Sequence, residues 1–150
     1  MNRDISMKNE FMLKALENAK IAFKNGDVPV GAVIVKDGEI IAEAYNQREV
    51  SSKATAHAEI LAIERACEKL QRWRLSDCEM YVTLEPCPMC AGAIRAAQIE
   101  ELYFGAYNLS DGAAGTVYNI LYPHVKVFGG IKKSDCQSLL KDFFEKLRNK

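Results

Sequence analysis

The residues best equipped for chemistry are His57 and Glu59, in His57-Ala58-Glu59, and Cys87 and Cys90, in Pro86-Cys87-Pro88-Met89-Cys90. An imidazole nitrogen and two thiolates are donors that suit zinc. Catalytic zinc sites use three protein ligands and leave the fourth position to water. His57, Cys87 and Cys90 supply the three. Glu59 is then a carboxylate that the metal does not need, free to move a proton on and off the water. In such a site the water's pKa falls from ~15.7 towards ~7–9.

The flanking elements must bring these groups together. Cys78 to Leu84 is rich in strand-favouring residues. Pro86 cannot continue a ladder, and Pro88 suits the first turn of a helix over Met89 to Ala97. Cys87 then falls at the helix cap and Cys90 three residues on, so the two sulfurs face one side of the first turn. His57 opens a second helical run, with Ile60, Ile63, Cys67 and Leu70 on one expected core stripe. Two helix starts aimed at one metal favour thiolate over thiol.

The remaining elements are legible from patterning. Met12, Leu16, Ala19 and Phe23 lie at helical spacing, and Asn25-Gly26 is a helix stop. Val30 to Val35 and Glu39 to Asn46 read as strands joined by Lys36-Asp37-Gly38, a hairpin signal. Gln47 to Thr55 reads as a polar loop, and Glu101 to Ala106 as a strand. A Gly/Ala-rich loop follows over Asn108 to Gly115, then a short strand at Lys126 to Phe128 and a helix from Ser134 to Leu147. A hairpin followed by helix–strand–helix–strand implies an α/β protein with a mixed five-stranded sheet covered on both faces, three layers in all.

Two other readings of the cysteine motif remain open. Cys-x-x-Cys at a helix start is also a thiol–disulfide redox pattern, although that leaves His57 and Glu59 without a role. A structural zinc site needs a fourth ligand, for which Cys78, Cys136 and His124 are the candidates. Cys78 begins a strand well away from the motif, and His124, beside Pro123, is expected to face solvent. Cys67 reads as a small core residue.

With 150 residues the chain is expected to form one domain, residues 1–150, with a substantial core. No apolar run approaches the ~18 residues of a membrane span, and Met1 to Glu10 lacks the apolar core of a signal peptide. An odd count of five cysteines, two in the metal motif, points to a reducing, cytoplasmic setting. A net charge of zero argues against indiscriminate nucleic-acid binding but permits a local basic face. The C-terminus offers one: Lys132, Lys133, Lys141, Lys146, Arg148 and Lys150 stand against Asp135, Asp142 and Glu145. It is either a solvated helix face or a phosphate-contacting one. Adjacent helix positions cannot face the same way, so one of Phe143 and Phe144 is expected in the core.

The combination of His-x-Glu with a later Pro-Cys-x-x-Cys is the nucleobase-deaminase signature. Over nearly its whole length the chain resembles the bacterial tRNA-specific adenosine deaminases. The likeness is carried by Val28-Pro-Val-Gly-Ala-Val-Ile-Val, Thr55-Ala-His-Ala-Glu-Ile, Tyr81-Val-Thr-Leu-Glu-Pro-Cys and Cys90-Ala-Gly-Ala-Ile. Phe104-Gly-Ala, Gly112-Ala-Ala-Gly and Leu140-Lys-Asp-Phe-Phe point to this branch rather than to guanine or cytosine deaminases, which share the metal motif.

The resemblance implies a cytidine-deaminase-like three-layer α/β/α sandwich. The implied reaction is hydrolytic conversion of adenosine to inosine at the wobble position of a tRNA anticodon, with release of ammonia. It implies one zinc ion per subunit on His57, Cys87 and Cys90, with Glu59 as the proton shuttle. It also implies a homodimer and a tRNA anticodon stem-loop as partner. Asn46 resembles a base-reading asparagine, Val30, Ala58 and Leu84 match positions lining the base pocket, and Phe144 resembles an aromatic near the flanking nucleotides. Asn108 departs from the aspartate often found near the substrate ribose, and the chain stops soon after Phe143-Phe144. The rival enzyme reading is a free-base deaminase acting on guanine or cytosine. Glu85 reads as the one other carboxylate near the motif.

Overall fold

Near-continuous burial along the central strands is the organising feature. The computed structural model describes residues 2–149, with side chains from residue 5 onward, so Met1 and Lys150 of the readings above lie outside the described residues. Helix α1 (Asn2–Lys24) precedes strands β1 (Gly31–Lys36) and β2 (Glu39–Tyr45). A four-residue helix, α2 (Arg48–Ser51), leads to α3 (Ala58–Leu70), β3 (Cys78–Leu84) and α4 (Pro88–Ala96). Strands β4 (Glu101–Ala106) and β5 (Lys126–Phe128) and helix α5 (Lys133–Arg148) complete the chain. The five strands form one mixed sheet in the order β2-β1-β3-β4-β5. β1 is antiparallel to β2 and β3, while β3, β4 and β5 run parallel. The expected three-layer α/β/α arrangement is the one found.

The central strands are buried on both faces, as a covered sheet requires. Ala32, Ile34, Met80, Val82, Leu102 and Phe104 pack in the core that includes α3 and α4 residues. The alternate residues Val33, Val35, Tyr81 and Tyr103 pack with Met12, Ala15 and Leu16 of α1 and Cys136 of α5. At the β1 start a side chain is impossible: a Cβ on Gly31 would collide with the Ala15 carbonyl oxygen and the Ala19 amide nitrogen. Its absence lets the α1 backbone rest directly on the sheet. The β1–β2 turn has positive φ at both Asp37 (52°) and Gly38 (78°), the backbone a tight hairpin demands.

Two expectations are corrected. The loop after β2 is not irregular throughout, because α2 forms within it. Its N-terminus is held by the distant, buried Asp27, whose carboxylate accepts from the Glu49 amide at 2.7 Å and the Val50 amide at 3.2 Å. The core stripe of α3 is Ala58, Ala62 and Ala66, all fully buried, and not Ile60, Ile63, Cys67 and Leu70, which are half-buried at its flanks. Small residues face the sheet because they allow close approach, and the larger ones fill the sides. The paired phenylalanines divide as expected, Phe143 buried and Phe144 exposed.

Candidate active site

The elements converge at the end of the sheet where α3 and α4 begin. His57 is the N-cap of α3 and Cys87 the N-cap of α4, both with extended backbone and neither with a side-chain cap bond. Pro88 starts α4, which places Cys90 one turn further in. Both helix starts thus direct amide N–H groups and partial positive charge towards the same point.

His57 Nδ1 lies 3.7 Å from Cys87 Sγ and 3.5 Å from Cys90 Sγ. The three ligand atoms all lie within 4.8 Å of one another. Tetrahedral zinc, with bonds of about 2.3 Å to sulfur and 2.0–2.1 Å to nitrogen, would separate such N and S donors by roughly 3.6 Å. The donor set and spacing therefore fit zinc. Among the described residues no fourth His, Cys, Asp or Glu joins this cluster. Cys78 and Cys136 are buried in the two core regions, and His124 is exposed.

The electrostatics favour thiolate at Cys87 and thiol at Cys90. Hydrogen bonding from Cys90, together with the His57 side chain, pulls the Cys87 thiol down to about 4 despite its burial. Hydrogen bonding to Cys87, burial and the nearby Glu59 charge push Cys90 up. A cation held between the two sulfurs would favour the thiolate form of both. His57 is raised, chiefly through its hydrogen bond with Cys87. Glu59, buried on the first turn of α3, is pushed up to about 7, first by burial and then by the Cys87 charge.

A cavity of about 170 Å³ opens beside these groups. Its walls include Val28 and Val30 before β1, Asn46 after β2, Arg48 and Glu49 of α2, His57, Ala58 and Glu59 at the α3 start, and Leu84, Cys87 and Asn108. The sequence-derived set Asn46, Val30, Ala58, Leu84 and Asn108 therefore meets at one cavity with Glu59. Phe144 does not line it. Phe144 is exposed on α5, with its ring edge-on to Phe143 at 5.4 Å. Asn46 Nδ2 donates to the Val28 carbonyl at 3.2 Å, and Asn46 Oδ1 accepts from the Arg48 amide at 3.1 Å. These bonds orient its carboxamide while leaving one hydrogen and one lone pair for a ligand.

Glu85 is not the sole additional carboxylate, since Asp27 and Glu49 also line the cavity. Nor is Glu85 free. Its carboxylate accepts from the amides of Asn108 (3.2 Å), Ala114 (3.0 Å) and Thr116 (3.1 Å) and from the Thr116 hydroxyl. Sequence reasoning missed Asp27 and Arg48 altogether. The one local signal was Asp27 directly after the Asn25-Gly26 helix stop, a residue type that often caps a following helix.

A mixed sheet with this strand order and such a donor set at two helix starts defines an enzyme of the cytidine-deaminase fold. Comparison with known proteins narrows the class. Residues 6–148 match the MafB19-like deaminase family. The tRNA-specific adenosine deaminase of Bacillus subtilis (strain 168) is 45% identical over 145 residues, 93% of this chain and 90% of that protein. That of Aquifex aeolicus (strain VF5) is 46% identical, covering 95% and 98%. A solved structure from studies of A-to-I editing by tRNA:A34 deaminases superposes with a TM-score of 0.84 at 41% identity, covering 87% of this chain and 99% of that one. The chain belongs to this deaminase family, on the branch of the tRNA-specific adenosine deaminases.

Proposed function

We propose that the protein deaminates adenosine to inosine at the wobble position of a tRNA anticodon, by hydrolysis with release of ammonia. The observation that carries the chemistry is the buried, unligated Glu59 at one cavity wall beside a three-donor cluster. The similarity to tRNA-specific adenosine deaminases over more than nine-tenths of the chain supports the substrate.

His57, Cys87 and Cys90 would hold zinc, whose chemistry is to make water nucleophilic at neutral pH. The chain's own residues do the rest. Val30, Ala58 and Leu84 present apolar surface that holds the base and excludes bulk water. Asn46, oriented by Val28 and Arg48, offers one donor and one acceptor to the base edge. Glu59 takes one proton from the attacking water and gives it to the ring nitrogen. It then takes the proton of the hydroxyl now on the ring carbon and gives it to the departing amine, leaving a carbonyl and ammonia. An anticodon base suits this cavity because a loop nucleotide can be unstacked at lower cost than a paired one.

We read residues 1–150 as one cytoplasmic deaminase domain. No described helix is long and apolar enough to cross a membrane. A homodimer is also proposed, supported by exposed apolar side chains at Leu109, Val117, Tyr118 and Tyr122. Light scattering would report its mass. The decisive experiment incubates the pure protein with an anticodon stem-loop carrying a wobble adenosine, and separately with free adenine, guanine and cytosine. Inosine in the stem-loop alone is the expected result. Turnover of a free base instead would establish the free-base reading. Insulin-disulfide reduction without bound zinc would establish the redox one.

A further inference from the structure

The loop over residues 108–116 is folded around one anion. Glu85 is almost fully buried, yet its carboxylate faces three backbone amides and a hydroxyl. No cation is paired with it among the described ion pairs. This is an anion-filled cradle of backbone N–H groups, built inside out: the protein supplies the anion as well as the donors. The fit is close. A Cβ on Gly112 would collide with the Glu85 carboxyl carbon and the Asn108 carbonyl oxygen, so the loop can wrap the carboxylate only with glycine there. The main chain adds a further tie, because the Ala113 amide donates to the Pro86 carbonyl at 2.8 Å.

Both ends of this arrangement belong to the cavity. Glu85 lies two residues before Cys87, and the loop begins with Asn108; all three line the cavity. Asn108 cannot reset itself independently. Its amide is held by Glu85, and its Oδ1 is turned onto its own loop, accepting from the Asp111 amide at 3.1 Å and the Ser110 hydroxyl at 3.2 Å.

We propose that Glu85 is a positioning residue. Its carboxylate registers the 108–116 loop against the Cys87 turn, and so sets the distance between the nucleotide wall and the reacting end of the cavity. The inference rests on the nucleotide-deaminase reading only for the substrate used in its test. Glu85→Gln keeps the shape but turns an NH2 group towards amides that need an acceptor, and the loop should loosen while His57, Cys87 and Cys90 stay in place.

The experiment compares Glu85→Gln, Glu85→Asp and Thr116→Val in the full chain. The readouts are zinc content, amide hydrogen exchange and steady-state kinetics on the stem-loop. In Glu85→Gln, zinc should stay at the wild-type level and the Ala114 and Thr116 amides should exchange at least ~10-fold faster. KM should rise ~10-fold or more with kcat held within ~3-fold. Glu85→Asp, which keeps the acceptor-only carboxylate, should recover part of both effects. Thr116→Val removes a single donor and should raise KM by ~2–4-fold. That variant decides the matter should Glu85→Gln not fold. Unchanged exchange and KM would overturn the proposal, as would loss of kcat at unchanged KM, which would put Glu85 in the chemistry. Wild-type protein that made no inosine would refute the proposed function, whereas the exchange data would still judge Glu85.

Discussion

Replacing Glu79 by glutamine should stabilise the protein at pH 8 and leave it unchanged at pH 4.5. Glu79 on β3 sits directly opposite Glu101 on the parallel strand β4. The Tyr103 hydroxyl donates to Glu101 Oε2 at 3.1 Å, and the positive charge of Lys8 opposes the shift of Glu79. Burial, hydrogen bonding with Glu101 and its like charge push the Glu79 carboxyl from its ordinary 4.5 up to about 7. The folded-state value exceeds the unfolded one. Stability is therefore fully present below about pH 4.5 and is lost as the pH rises through about 7. At about 1.36 kcal/mol per pH unit the ceiling is about 3.4 kcal/mol, which solvent screening of a half-buried pair reduces to about 1–2 kcal/mol. For a chain of this size that corresponds to a gain of about 3–6 °C in Tm for Glu79→Gln at pH 8. Thermal unfolding of both proteins at pH 4.5, 6 and 8 measures it. Titration of the cysteine cluster occurs in both and cancels in the difference. An equal gain at every pH, or a loss at pH 8, would refute the argument.

Four further outcomes are expected. Glu59→Gln should retain zinc and lose turnover by ~10²–10⁴-fold, the usual worth of a positioned proton shuttle, which metal analysis and a rate assay check together. Cys90→Ser should cut zinc binding, and a chelator should abolish wild-type activity until zinc is restored. Metal content and recovery of rate measure both. Gly31→Ala should destabilise by about 1–3 kcal/mol or more, read by denaturant melts, because the new methyl group meets α1 backbone that no rotamer change can move.

Local signals carried much of this molecule. Asp37-Gly38 announced the hairpin because positive φ at two successive positions is a property of the turn itself. Pro88 and the spacing of Cys87 and Cys90 announced a helix start with both sulfurs on one side. What escaped was set by distant partners. Helix α2 has too few residues for any periodicity, and its amides are held by Asp27, more than twenty residues earlier. The α3 stripe was misplaced because apolar size, read along the chain, favours Ile60 and Ile63, whereas closeness to the sheet favours Ala58, Ala62 and Ala66. Glu85 looked like a spare acid beside the motif. Its donors lie 23 to 31 residues downstream, and nothing in Leu84-Glu85-Pro86 foretells them.

The cradle around Glu85 also bears on how such a loop tolerates change. Three of its four donors are peptide groups, which every residue but proline possesses, so most side chains in the segment are not part of the fastening. Between Asn108 and Gly112 the Ser110 hydroxyl bonds Asn108 and no side chain bonds Glu85, so the carboxylate's own fastening survives substitution there provided glycine is kept at 112. The segment next to Asn108 can thus diversify, by mutation or by design, with its mooring intact.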